Sequence, residues 1–200
     1  MQTFRKVASM LKKIVAVALV TGLWAGTANA GAVDTKALMM EGKGLIKGFA
    51  TELVGELKKS MKSGGPIAAI GVCNTKAMPI TDKHTAQATG WTIKRSSHKL
   101  RNADNKPDTF EARAIKEFQA RQANGESAKK MVMTMVTIED GKKTFRMVKA
   151  IPTGKPCLAC HGSDIKPEVA AKLDSLYPND KARGFKMGEM RGIFSLKKEL

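Results

Sequence analysis

The feature that most constrains this chain is a five-residue run near its C-terminal end, Cys157-Leu158-Ala159-Cys160-His161. On a helical turn, positions three and four apart share a face, so Cys157 lies beside both Cys160 and His161. Two thiols and an imidazole on one face form the attachment pattern of c-type haem: the sulfurs take thioether bonds to the porphyrin edge while the imidazole turns to the iron. A thioredoxin-like dithiol shares the spacing but belongs near a βαβ pattern, whereas the irregular run Pro152-Thr153-Gly154-Lys155-Pro156 precedes these cysteines. A structural zinc site needs four ligands; the run offers three at most, leaving Cys73, His84 and His98 to complete it. One covalently held haem c is therefore the expectation.

The N-terminal segment agrees with that chemistry. Arg5, Lys6, Lys12 and Lys13 precede an apolar stretch from Ile14 to Ala25, which ends in Ala28-Asn29-Ala30 before Gly31. This reads as a signal peptide over residues 1–30, with residues 31–200 as one domain exported to the periplasm. A membrane-spanning helix needs roughly 20 apolar residues, more than this stretch supplies. Residues 1–30 carry four basic and no acidic side chains, so cleavage lowers the formal charge of +17 to +13. The excess charge leaves room for association with an anionic membrane surface or an acidic protein partner. Because the basic residues are scattered and aromatics are sparse, nucleic acid is excluded as a partner. Three cysteines are too few for a disulfide scaffold.

Apolar residues from Leu38 to Met61 recur at helical spacing, predicting a long amphipathic helix closed by Gly64-Gly65-Pro66. Its glycines weaken it unless they permit close backbone packing. A short helix from Pro66 would carry Cys73. Trp91, Ile93 and Arg95 alternate with polar residues as in a half-buried strand, Trp91 being read as core. Asp108 and Glu111 fit a capping box for a helix with Phe110, Ala114, Ile115 and Phe118 on its apolar face. Residues 131–138 and 144–151 flank Asp140-Gly141, the signature of a β-hairpin; Met131, Met133 and Met135 are expected to fill core. Pro167–Leu176 predicts a further helix. Residues 184–192 read as loop, with 193–196 closing the sheet.

A haem iron has two axial positions, and the residues leave the one opposite His161 open: Cys73, His84, His98, Met78, another methionine, or nothing. Methionine would raise the potential and a thiolate would lower it. His84 and His98 lie among polar residues and read as surface or hydrogen-bonding groups. An unpaired Cys73 in an oxidising compartment is either a small buried hydrophobe or a ligand. Arg95, Arg101 and Lys155 are candidates for pairing with haem propionates, with solvated charges an equal reading.

Several segments in order carry a resemblance: Ala68-Ala69-Ile70-Gly71-Val72-Cys73-Asn74-Thr75-Lys76-Ala77, Gly90-Trp91-Thr92 with Arg95, Leu100-Arg101-Asn102 before Asn105-Lys106-Pro107-Asp108, Lys149-Ala150-Ile151 running to Lys155-Pro156-Cys157-Leu158-Ala159-Cys160-His161-Gly162, and Arg191-Gly192-Ile193-Phe194-Ser195. Together they resemble a single-haem c-type family long described as a domain of unknown function. That resemblance implies an α+β fold with a PAS-like antiparallel β-sheet, an N-terminal helical segment, and iron held by His161 and Cys73.

The functional expectation is a periplasmic single-haem cytochrome that senses redox state or a small ligand through release of Cys73, with a redox or signalling protein as partner. An electron carrier steered by its lysines is the alternative. No second motif supplies an acid/base pair, so no enzymatic activity is expected.

Overall fold

The structure is a computed structural model and describes residues 32–200; the expected signal peptide lies outside the described residues. In chain order it contains α1 (Thr35–Thr75), α2 (Ala77–Gln87), β1 (Trp91–Ser96), α3 (Thr109–Ala123), β2 (Val132–Glu139), β3 (Lys142–Pro152), α4 (Leu158–His161), α5 (Pro167–Leu176) and β4 (Met190–Glu199), with 3-10 turns at Ala103–Asn105 and Lys155–Cys157. Among the described residues, no helix is long and apolar enough to cross a membrane.

The strands form one antiparallel sheet in the order β1-β4-β3-β2, an α+β arrangement. Asp140 and Gly141 both adopt positive φ, 51° and 78°, so the hairpin turns as its Asp-Gly pair requires. The last strand departs from expectation. It begins at Met190 rather than 193, reaches Glu199 rather than 196, and lies between β1 and β3. Its charged tail Lys197-Lys198-Glu199 hid its length, because a central strand can end in polar residues where it reaches the sheet's rim.

Helices cover both faces. On one face Trp91, Ile93, Phe145, Met147 and Leu196 meet Ile46 and Phe49 of α1 and Ile80 of α2. Trp91 is core, as expected, and its indole N–H donates to Glu41 at 2.7 Å. On the other face Val148, Ala150 and Ile193 meet Ala114, Ile115 and Phe118 of α3, with Met131 buried and Met133 packed alongside. Met135 is exposed, contrary to expectation, since β2 is an edge strand whose far half no helix covers. Asp108 and Glu111 form the capping box in both directions, at 2.8 and 3.0 Å.

α1 is two helical segments. Gly64 (φ −152°, ψ 19°) and Gly65 (φ 67°, ψ −162°) break it, and Pro66 restarts it, so the break falls where the sequence places it and the second segment carries Cys73. α2 was not legible: Pro79 and a polar composition masked it. A proline so near the start removes only an N–H without an intrahelical partner.

A Cβ on Gly42 would stand 2.7 Å from Met147 Sδ, so this glycine does let α1 approach the sheet. Gly192 is tighter, its missing Cβ lying 2.5 Å from the backbone oxygen of Ser96. Gly192→Ala is expected to destabilise the fold by about 1–3 kcal/mol through strain between β4 and β1. Gly44→Ala, on an exposed helical position with nothing within 4 Å, is expected to stabilise it by about 0.5–1 kcal/mol. Chemical denaturation of both variants checks the opposite signs.

Candidate functional site

The proline-bounded loop after β3 runs through the Lys155–Cys157 turn into α4, a single helical turn ending in His161. Gly162 stops it: a Cβ there would lie 2.6 Å from Leu158 O. Cys157 and Cys160 are half-buried free thiols on this turn, and the Gly154 N–H points at Cys157 Sγ from 3.4 Å.

His161 is held in one orientation. Its Nδ1 lies 2.8 Å from Ala182 O. A carbonyl can only accept, so Nδ1 carries the proton and Nε2 keeps its lone pair. Burial, reinforced by the positive charges of Arg191 and Arg101, lowers the imidazole pKa to about 3, so the ring is neutral across the ordinary pH range.

The carbonyl that fixes the ring belongs to a strap, residues 180–189, of which the sequence presents only the part from Gly184 on, as loop. Its anchor is Asp180, whose carboxylate is nearly inaccessible and takes Arg101 through both oxygens, Nε at 3.1 Å and Nη2 at 3.0 Å. Asp180 also accepts from Arg183 Nε and the Ala182 N–H, each at 2.8 Å. Arg101 Nη2 donates further to Cys160 O at 2.6 Å and Ala182 O at 3.3 Å, joining the residue before His161 to the carbonyl its ring binds. Gly184 N–H to Gly162 O and Phe185 N–H to His161 O, both 2.9 Å, complete the strap. Buried Phe185 stands edge-on to His161 and to His98.

Cys73 reaches this neighbourhood through packing. Ile70, one turn earlier on the same helical face, is buried with Val169 and Leu173 of α5, and half-buried Cys160 and Tyr177 pack against that cluster. The Cys73 turn therefore lies by the turn carrying Cys160 and His161. Cys73 is solvent-accessible, yet burial pushes its thiol pKa up while Arg101, Arg95 and Arg191 pull it back. Accessible surface with protein on most sides is the geometry of a residue lining an open recess, which reconciles the two observations.

The arginines divide. Arg101 is committed to Asp180 and backbone carbonyls, so it is neither a solvated charge nor a free cation. Arg95 lies over the Phe49 ring with its Nη2 3.5 Å from Ala77 O, and its buried Nε has no partner among the described residues. Arg191 Nε is likewise buried and unpartnered. Lys155 is exposed. His84 is drawn elsewhere, its Nε2 2.8 Å from Glu52, and Met78 lies in the first turn of α2. His98 is no surface histidine: it is half-buried beside Phe185 with Nδ1 unpartnered, and burial lowers its pKa. Beside the recess opens a cavity of about 470 Å³ lined by residues including Asn74, Arg101, Tyr177 and Lys181; none of Cys73, Cys157, Cys160 and His161 lines it.

Burial raises the Asp180 pKa, but Arg101, Arg183 and the Ala182 N–H together outweigh it and hold the group below its ordinary value. A depressed folded-state pKa means stability that is complete above the unfolded value and lost as pH falls through the folded one. Asp180→Ala strands a buried arginine and is expected to cost about 3 kcal/mol near neutral pH. The gap to the wild type should narrow below the ordinary carboxylate range, as unfolding curves across acid pH would show.

A family model described as Tll0287-like matches residues 2–198. Among solved structures, the chain is similar to the cyanobacterial heme-protein Tll0287, at 19% identity and a TM-score of 0.49, with 76% of this chain and 93% of that one covered. No curated protein matches. The family match spans nearly the whole sequence, from the N-terminal segment through β4, and the chain belongs to the Tll0287-like family.

Proposed function

We propose that this chain is a periplasmic single-haem c-type protein, exported through residues 1–30, that senses redox state or a small ligand. The observation that carries this reading is the meeting of two turns distant in sequence: His161, with Nε2 left free by the Ala182 bond, and the α1 turn bearing Cys73. The family's name-giving member is described as a heme-protein, in keeping with it.

The residues present fit a haem. Cys157 and Cys160 would hold it through two thioethers, and His161 Nε2 and Cys73 would be the candidates to bind its iron. The unpartnered Nε–H groups of Arg95 and Arg191 would pair with its propionates. When bound, haem would supply a one-electron couple whose potential depends on which side chains bind the iron. The protein's part is orientation: Arg101 and Asp180 tie Cys160 to the strap, the strap fixes the imidazole, and Phe185 packs beside it.

Sensing is favoured over plain electron transfer by where Cys73 sits. Its helical segment is set off from the rest of α1 by the Gly64-Gly65 break and packs, through Ile70, against the cluster that includes Cys160. Because that segment continues into α2, whose Ile80 packs on the sheet, release of the thiol would carry a change in ligation toward the sheet. A PAS-like frame is the finer reading of the antiparallel sheet, and a redox or signalling protein is the expected partner. We assign the chain no enzymatic role.

Protein exported in a host competent for cytochrome maturation should carry one haem that resists acid-acetone extraction, and the Cys157→Ala, Cys160→Ala double variant should lose it. Cys73→Ala should alter the low-spin ferric resonance and raise the midpoint potential. An extractable pigment overturns the covalent reading. An unchanged spectrum in Cys73→Ala overturns thiolate ligation, and with it the sensing role assigned to that residue.

A further inference from the structure

The sheet has two edges, and they are finished differently. Along β1 the Ile93 N–H donates to Thr85 Oγ1 at 3.1 Å, the Thr85 hydroxyl lies 3.4 Å from Ile93 O, and Ser96 Oγ donates to Asn105 O at 2.8 Å. Along β2, among the described residues, no side chain or loop takes up the outward backbone groups. β2 has eight residues, no proline or glycine, and no charge before Glu139. It exposes Met135 by 36%, Val136 by 37% and Ile138 by 65%. Proteins blunt such edges with charge, proline, bulges or a covering element, because an apolar edge of this length templates another strand.

The charges at the ends of β2 select its occupant. Lys129 and Lys130 precede the strand, while Glu139 and Asp140 finish it. A second copy running parallel would set like charge on like. Running antiparallel about a two-fold axis, each copy lays its acidic end along the basic end of the other, so the favourable pairing occurs twice. With the axis at Met135, Val132 faces Ile138, Thr134 faces Val136, and Lys130 faces Asp140. Met135 then meets its own counterpart, Ile138 gains an apolar neighbour in Val132, and two four-stranded sheets join into one.

We propose that β2 is a self-association edge along which a second copy of this chain pairs antiparallel, making the protein a two-fold dimer through a continuous sheet. The interface lies at the opposite sheet edge from β1 and stands whether or not the cofactor reading holds.

Sedimentation of the exported chain, with whatever group it carries, is expected to show a dimer. Val136→Lys, which sets two like charges into a symmetric interface, should raise the dissociation constant at least about tenfold. Met135→Cys lies on the axis and should cross-link copy to copy under mild oxidation above the wild-type background. Ile138→Cys, facing Val132, should not. Unchanged circular dichroism and absorption establish that each variant is folded. A chain that stays monomeric overturns the proposal, as does a dimer that withstands Val136→Lys and gives no Met135→Cys cross-link.

Discussion

Everything distinctive about the site depends on one buried ion pair. Arg101 and Asp180 are both withdrawn from water, which is unfavourable for each charge unless its remaining hydrogen-bonding capacity is met. Here it is met on both sides: Asp180 accepts from Arg101, Arg183 and a backbone N–H, and Arg101 donates to Asp180 and to two carbonyls. Those carbonyls are what give the pair its use. One belongs to the residue before His161 and the other receives the His161 ring proton, so a single guanidinium sets the relative position of turn and strap. A hydrophobic pair of the same volume could pack there, but it could not specify which nitrogen of the imidazole is left free.

The sheet contributes through an irregularity. Between Ile151 and Pro152 the register of β3 against β4 slips, so that Gly192 and Met190 lie opposite successive residues. Met190 and Ile193 then share one core although regular alternation would put residues three apart on opposite faces. The extra residue is Arg191. Freed from the pleat, it comes within electrostatic reach of Cys73, Arg95 and His161. Gly192 beside it is required because the Ser96 backbone closes to a distance no side chain allows.

Much of this was legible because it is local. The cysteine–histidine turn, the capping box, the Asp140-Gly141 hairpin and the Gly64-Gly65 break are each written within a few residues, where spacing or backbone conformation decides. The Arg101–Asp180 pair joins residues 79 apart, and the Ala182 carbonyl is 21 residues from the ring it fixes. Nothing in the local sequence marks a carbonyl as an acceptor for a particular imidazole. The strap looked like loop because its order comes from backbone and side-chain bonds to other segments, not from periodicity. His98 and Arg101 were misjudged for a related reason: polar neighbours in sequence do not report neighbours in space. Cys73 was brought to the site by Ile70 and Cys160 packing, a contact visible only once the helices are placed, and the resemblance pointed to it where spacing could not.

The recess also explains why its charges are arranged unevenly. Asp180 and Asp174 between them neutralise Arg101 and Arg183, whereas burial and the charge of Arg191 both lower the Arg95 pKa. Two half-buried guanidinium groups within electrostatic reach of one another, each with an unpartnered Nε–H, oppose folding on their own. An anionic group seated against them would relieve the repulsion and meet both donors, so its binding free energy would also be stability of the fold. The recess is thus built in two halves. One is internally satisfied and holds a neutral imidazole in place; the other is left short of negative charge beside the Cys73 thiol.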